Sequence, residues 1–361
     1  MRRVECRLDM SALLHNLAQV KRYRPGQPVL AMVKADAYGH GLVAVARHLR
    51  EHVDALGVAC LDEAMMLREG GVHQPIVLME GLFSRPELEQ ARRLGLDLVV
   101  HQRRQLEWLQ QAQAGRAFDV WLKVNTGMNR LGFGTDQAIE VYQALRVLPH
   151  VRRIVLMTHL ATADQPGDVA CRRQVDAFYA LARALGLDES RCSICNSAAI
   201  VGWPDVGGSW LRPGLMLYGA SPLVGTHASE LGLRPVMSLK AHVVAVQTVQ
   251  AGDRIGYGGQ WVAEREQRIA VVGAGYGDGY PRTAGPDTPV AIAGRRFWLA
   301  GRVSMDMLAV DIGQDDVIKP DDEVELWGRQ VAIDEVAQAS GTLSYELMCK
   351  LTARVARHYV Y

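Results

Sequence analysis

The 361-residue chain has no long apolar run, no tandem repeat and no excess of charge of either sign. Nothing in it approaches the roughly 20 consecutive apolar residues that cross a bilayer. Residues 1–10 hold three arginines, Arg2, Arg3 and Arg7, with no apolar stretch behind them, so no secretory leader is expected. Forty Lys and Arg stand against 39 Asp and Glu, a formal charge of +1. That balance supplies no electrostatic reason to expect nucleic acid or an acidic membrane as partner. The cysteines are scattered at Cys6, Cys60, Cys171, Cys192, Cys195 and Cys349, and only Cys192 and Cys195 have a C-x-x-C spacing. No second Cys or His pair completes a zinc tetrahedron, so no metal is expected, and the pattern fits a reducing, cytoplasmic setting. A Walker-type Gly-Lys-Ser/Thr is also missing, so the glycine clusters at 256–259 and 273–279 read as turns in a β domain.

What the chain does have is a change of texture along its length. The length favours two domains, and 49% hydrophobic residues suffice for at least one large core. Short apolar runs at 29–33, 54–59, 75–80, 96–100, 118–124, 153–158, 192–196 and 210–212 alternate with helical patterns such as 42–52, 62–69, 86–94 and 169–185. Strand-like runs separated by helices imply parallel pairing through crossover helices, and eight such units close a (β/α)8 TIM-like barrel. Beyond residue 233 the long helical patterns stop. Val- and Ile-rich runs at 239–249, 268–274, 289–293, 298–311 and 323–326 predict a mostly β C-terminal domain. The expected division is a barrel over 1–233 and a β domain over 234–361, with the boundary inside 226–235. A helix over 345–355 is expected to close the chain. The opening run, 3–8, precedes the barrel pattern and is free to join the β domain.

Barrel enzymes build their sites at the C-terminal ends of the strands. The residues at or just beyond the run ends are Lys34, Lys123, His159, Asn196, Ser197, Arg212 and Gly214. Two lysines, a histidine, an arginine and small polar groups would therefore converge on one mouth. Lys34 directly follows a buried apolar strand and cannot easily reach bulk water. It needs either a buried acidic partner or loss of its charge, and loss of charge makes an amine a Schiff-base nucleophile.

Lys34 lies in Val-Lys-Ala-Asp-Ala-Tyr-Gly-His-Gly, a segment that resembles the cofactor-lysine motif of the alanine racemases. Eight further segments resemble that family in order along both domains. They are Lys-Val-Asn-Thr-Gly-Met-Asn-Arg-Leu-Gly-Phe (123–133), Thr-His-Leu-Ala-Thr-Ala-Asp (158–164), Asn-Ser-Ala-Ala (196–199) and Leu-Arg-Pro-Gly-Leu-Met-Leu-Tyr-Gly (211–219). After these come Ile-Gly-Tyr-Gly (255–258), Gly-Tyr-Gly-Asp-Gly-Tyr-Pro-Arg (275–282), Gly-Arg-Val-Ser-Met-Asp (301–306) and Ser-Tyr-Glu (344–346). Each is weak by itself, whereas nine in sequence order are specific.

The resemblance implies pyridoxal 5'-phosphate as cofactor and interconversion of L- and D-alanine as the reaction, serving either to supply D-alanine for peptidoglycan precursors or to break it down. Lys34 matches the lysine that carries the cofactor. Tyr38, Ser197, Tyr345 and the backbone of Gly214 and Leu215 match positions that hold its phosphate, with Asn196 beside them. Arg212 matches the arginine facing the pyridine nitrogen. Many enzymes using this cofactor place a carboxylate there, which keeps the ring protonated. An arginine only donates, so the electron sink is weaker, which suits reprotonation at Cα over side reactions.

Racemisation takes a proton from one face and delivers one to the other, so two acid–base groups are expected, each worth about 10²–10⁴ in rate. Lys34 matches one and Tyr257 the other, with His159 between Arg212 and the tyrosine. Without the motifs, Tyr257 reads as an aromatic in a glycine turn and His159 as an ordinary strand-end histidine. The family also places Tyr257 against the partner's barrel, which implies a head-to-tail homodimer with composite sites. Arg130, the backbone of Met305 and Asp306 match substrate-binding positions. Tyr276, Arg302 and Asp164 match the channel through which substrate arrives. Lys123 matches a position often carbamylated, and an unmodified lysine paired with a carboxylate remains open. Two other readings share the plan: a racemase of broader amino-acid specificity, and an amino-acid decarboxylase. The decarboxylases carry a cysteine-containing acidic motif where this chain has Gly-Arg-Val-Ser-Met-Asp.

Overall fold

A computed structural model describes residues 4–113, 115–207 and 210–361. Seven parallel strands follow one another in chain order: Leu30–Met32, Ala55–Val58, Ile76–Leu78, Leu96–Val100, Phe118–Lys123, Val151–Met157 and Cys192–Ser193. Their residues are almost uniformly buried, as befits strands covered on both faces. The eighth strand shrinks to bridges. Leu211 pairs with Val29 and Arg212 with Asn196, so residues 211–212 touch both the first and the seventh strands and close the barrel. Pro213 follows at once; it has no N–H to donate, but its carbonyl accepts from Met32 N at 2.9 Å and continues the ladder to the first strand.

The helix Met10–Tyr23 precedes the first barrel strand and was not foreseen from the sequence. Asp9 caps it, its Oδ1 accepting from Ala12 N at 3.0 Å. Its buried residues include Met10, Leu13, Leu17 and Val20, and the buried Asn16 donates to the carbonyls of Leu217 and Arg234, tying the helix to the end of the barrel.

Two short strands, Arg254–Ile255 and Trp261–Val262, pair with each other, and the other eight form one sheet in the order Gln267–Val272, Leu308–Gly313, Arg295–Leu299, Pro289–Ile292, Glu323–Trp327, Met237–Val249, Glu5–Asp9 and Ala356–Val360. Gln267–Val272 also pairs with the 13-residue Met237–Val249, so six of the strands close upon themselves. The opening strand Glu5–Asp9 sits between Met237–Val249 and the chain's last strand. Two expectations are corrected here. The run at 298–311 is two strands joined by a loop carrying Gly301, Ser304, Met305 and Asp306. The closing helix stops early, at Ser344–Cys349, and Ala356–Val360 is a strand. Thr352 N donates to Asp278 O, which turns the chain out of the helical path, and the strand then gains a parallel partner in Glu5–Asp9.

Candidate active site at the barrel mouth

Lys34 emerges from the first barrel strand into a turn of opposite hand. Ala35, Asp36, Ala37 and Tyr38 have φ of 54°, 54°, 52° and 54°, four consecutive left-handed residues, none of them glycine. Such a conformation costs roughly 1–2 kcal/mol per residue, so the surroundings must impose it. Glu63 accepts from Ala35 N at 2.6 Å and from Ala59 N at 2.8 Å. Asp36 Oδ1 accepts from Leu42 N at 2.7 Å. From the last strand, Arg357 donates to Gly39 O at 3.0 Å and Tyr359 donates to His40 O at 3.1 Å. Gly39 must be glycine: its φ is +77°, and a Cβ would lie 2.2 Å from Met348 O. That approach seats the helix Ser344–Cys349 beside the turn and brings the Tyr345 ring to 5.7 Å from that of Tyr38.

Around Tyr38 the chain builds a cradle of hydroxyls. The Tyr38 ring stacks on Tyr218 at 4.7 Å, and Tyr218 is itself fixed by donating to Met32 O at 2.9 Å. Ser197 opens the helix Ser197–Gly202, capped by the Asn196 side chain, which accepts from Ala199 N. Its hydroxyl accepts from Gly214 N at 2.9 Å and Met216 N at 3.4 Å, at the start of the short turn Leu215–Tyr218. A Cβ on Gly214 would stand 2.4 Å from the Tyr38 hydroxyl, so only glycine leaves this space open. Hydroxyls and a helical N-terminus around an open space fit a phosphate group.

Cations gather on the other side. The guanidinium of buried Arg212 donates to Ser193 Oγ at 2.5 Å and to Thr158 O at 2.6 Å. Burial lowers its pKa to about 10. Burial lowers that of Lys123 to about 8, helped by the charges of Arg212, Arg130 and Lys34. The same four cations, Arg212, Arg130, Lys123 and Lys34, add to burial in holding the His159 imidazole well below the usual histidine range. These five residues therefore lie within electrostatic reach of one another. Asp164 sits where its carboxylate raises the Tyr345 phenol, after burial, to about 12.

The residues expected from the β domain form a second group. Tyr257 lies in the turn Tyr257–Gly259, 68% exposed, and the described contacts of this turn run to Arg302 and Arg254 in the same domain. Arg302 donates to Gln260 at 3.0 Å. Tyr276 N and Gly277 N donate to Ser304 O and Met305 O, which brings the loops at 275–279 and 301–306 together, and Arg354 pairs with Asp306 at 2.6 Å. Within one chain no described contact joins this group to Lys34. Tyr257, Tyr276 and Met305 are all large side chains left open to solvent.

With this geometry in place, the comparisons with known proteins are decisive. The alanine racemase N-terminal domain family matches residues 8–222, and the alanine racemase C-terminal domain family matches residues 236–359. The chain belongs to the alanine racemase family. An alanine racemase of Azoarcus sp. is 47% identical over 358 residues, covering 99% of both chains. The biosynthetic alanine racemase of Pseudomonas aeruginosa is 45% identical over 359 residues, again covering 99% of each. Its crystal structure superposes with a TM-score of 0.96 over the whole of both chains, and that of Acinetobacter baumannii alanine racemase with 0.94 at 40% identity.

The fold of the alanine racemase family, a (β/α)8 barrel followed by a β domain, is therefore the fold of this chain. Sequence reasoning passed over several residues that shape the mouth. Ser193 and Thr158 take the Arg212 guanidinium, and Glu63, Arg357 and Tyr359 hold the left-handed turn. Ser193 could have been found, since it precedes a strand-end motif by three residues. Arg357 and Tyr359 carry no local signal, because their partners lie more than 300 residues away.

Proposed function

We propose that the protein interconverts L- and D-alanine with pyridoxal 5'-phosphate held at the barrel mouth, and that two copies complete each other's sites. The observation that carries this reading is Lys34 at the end of a buried strand. It lies on a strained turn, between the hydroxyl cradle of Tyr38, Ser197 and Tyr345 and the cations Arg212 and Lys123. The cofactor, when bound, would draw electrons from the substrate Cα and make its proton labile. Lys34 would carry it covalently. Tyr38, Ser197, Tyr345 and the backbone of Gly214 and Leu215 would hold its phosphate, Asn196 would brace Ser197, and Arg212 would face its ring nitrogen.

The remaining work falls to this chain's own side chains. Lys34, released when substrate takes its place, moves a proton on one face of Cα. Tyr257 of a second copy moves one on the other face, oriented by a neutral His159. Arg130 offers a guanidinium fork to the substrate carboxylate, joined by the Met305 backbone and Asp306. Tyr276, Arg302 and Asp164 line the approach. Lys123, with a pKa of about 8, is largely charged at pH 7 yet keeps roughly a tenth of its amine neutral. That fraction can add carbon dioxide and release a proton to solvent, and the resulting carbamate would turn one of four cations into an anion able to pair with Arg130. Six unbridged cysteines fit a reducing cytoplasm, and the Pseudomonas relative named biosynthetic favours supply of D-alanine.

Borohydride reduction followed by peptide mapping should place the cofactor on Lys34. Purified protein should racemise L-alanine faster than L-serine or L-lysine. A label on another lysine overturns the assignment of Lys34, and preference for another amino acid overturns alanine as the substrate.

A further inference from the structure

At the opposite end of the barrel, where the strands begin, a cavity of about 620 Å³ opens. Five guanidiniums line it, from Arg68, Arg93, Arg116, Arg152 and Arg153, against the two carboxylates of Asp97 and Asp119. The carboxylates do not neutralise it. Asp119 accepts from both Arg152 and Arg153 at 2.7 Å, two guanidiniums on one carboxylate. Arg68 donates to the carbonyls of Leu94, Val72, Gln74 and Gly95, so its charge is fixed in the wall by neutral partners. Among the described residues Arg93 and Arg116 form no ion pair. The lining keeps three positive charges in excess.

A second observation is independent of charge. Asp119, Trp121 and Lys123 alternate along one buried strand and share a face, Lys123 toward the mouth and Asp119 toward this cavity. Trp121 lies between them and lines the cavity. It is 1% exposed, its ring packs edge-on against Trp210 at 5.3 Å, and its indole N–H has no hydrogen-bond partner. A buried N–H left unmade costs about 1–3 kcal/mol, so the wall behind the guanidiniums carries an unpaired donor closed off from the cavity itself.

We infer that this cavity binds a compact multivalent anion of phosphate type, held by the Arg93 and Arg116 guanidiniums. Guanidinium forks match the oxygens of such an anion. The site is separate from the hydroxyl cradle at the mouth, with the strand Phe118–Lys123 running between them. Inorganic phosphate and the phosphate group of a small metabolite share the chemistry required.

The test is calorimetric titration of the cofactor-loaded protein with inorganic phosphate in a chloride buffer, with glycerol phosphate as a parallel arm. The loaded protein excludes binding in the mouth's own cradle. Wild type should show one saturable site per chain. The exposed pair Arg93→Ala/Arg116→Ala should weaken it tenfold or more, the scale of lost hydrogen bonds to charged groups, while alanine turnover stays at the wild-type level. Arg103→Ala, on the surface against Glu140, should change nothing. Tighter binding of glycerol phosphate than of phosphate assigns the site to a metabolite, and the reverse assigns it to the free ion. Absence of saturable binding to wild type, or equal affinity in the arginine pair variant, overturns the inference.

Discussion

In the proposed mechanism Tyr257 and Lys34 have different tasks, and a single substitution separates them. Tyr257→Phe removes the hydroxyl and keeps the ring. In heavy water, wash-in of deuterium at Cα should then be abolished for L-alanine and persist for D-alanine through Lys34. Equal loss from both enantiomers would mean one shared base. Arg212→Glu should favour protonation of the cofactor ring, slow racemisation and raise transamination. An unchanged ratio of the two would refute the account of Arg212. At Lys123 the pH dependence has a definite sign. Its folded pKa of about 8 lies below the unfolded value of 10.5, so between the two the unfolded chain binds more protons and stability rises with pH. In buffer free of carbon dioxide, thermal stability should rise from pH 8 to pH 10, and Lys123→Met should remove that part of the rise. Carbon-13 bicarbonate should give a carbamate resonance that Lys123→Met lacks.

Among the elements, the left-handed turn after Lys34 is the most constrained. Gly39→Ala meets both a positive φ and a carbonyl at 2.2 Å. It should lower stability by several kcal/mol and loosen Tyr345, measured by thermal unfolding and by cofactor affinity; stability within about 0.5 kcal/mol of wild type would show that the helix Ser344–Cys349 yields. The turn also marks where the sequence was readable and where it was not. The barrel strands could be read because strands buried on both faces are continuous apolar runs, and Lys34, Lys123, His159 and Arg212 could be placed because each stands at or just beyond the end of such a run. The four left-handed residues could not be read, since Ala, Asp, Ala and Tyr favour that conformation nowhere locally. It comes from distant groups, Glu63, Arg357 and Tyr359. The last strand, beyond the helix expected over 345–355, was not read because its signal is pairing with residues 5–9, a partner 351 positions away at Ala356 and Glu5. The helix Met10–Tyr23 was passed over although Asp9 caps it, because its apolar positions lie outside the alternation that announces the barrel.

On the proposed reading, the molecule as a whole presents half of a site on each of its two domains. One half is the barrel mouth with Lys34. The other is a group of side chains on the β domain, Tyr257 at 68% exposure and Met305 at 53%, with no described contact to Lys34 in their own chain. The proposed head-to-tail dimer would bring the two halves together twice, by two-fold symmetry, and sedimentation should give a dimer. The most direct measurement mixes Lys34→Ala subunits with Tyr257→Phe subunits. Each variant pairs with itself to give two defective sites, whereas a mixed dimer holds one site with both defects and one with neither. After exchange is verified by mass, activity toward L-alanine should rise from near zero to about a quarter of wild type, since random pairing makes half the dimers mixed with one intact site in each. Activity that stays at the level of the separate variants after verified exchange would contradict the composite site, and with it the account of how Lys34 and Tyr257 act on one substrate.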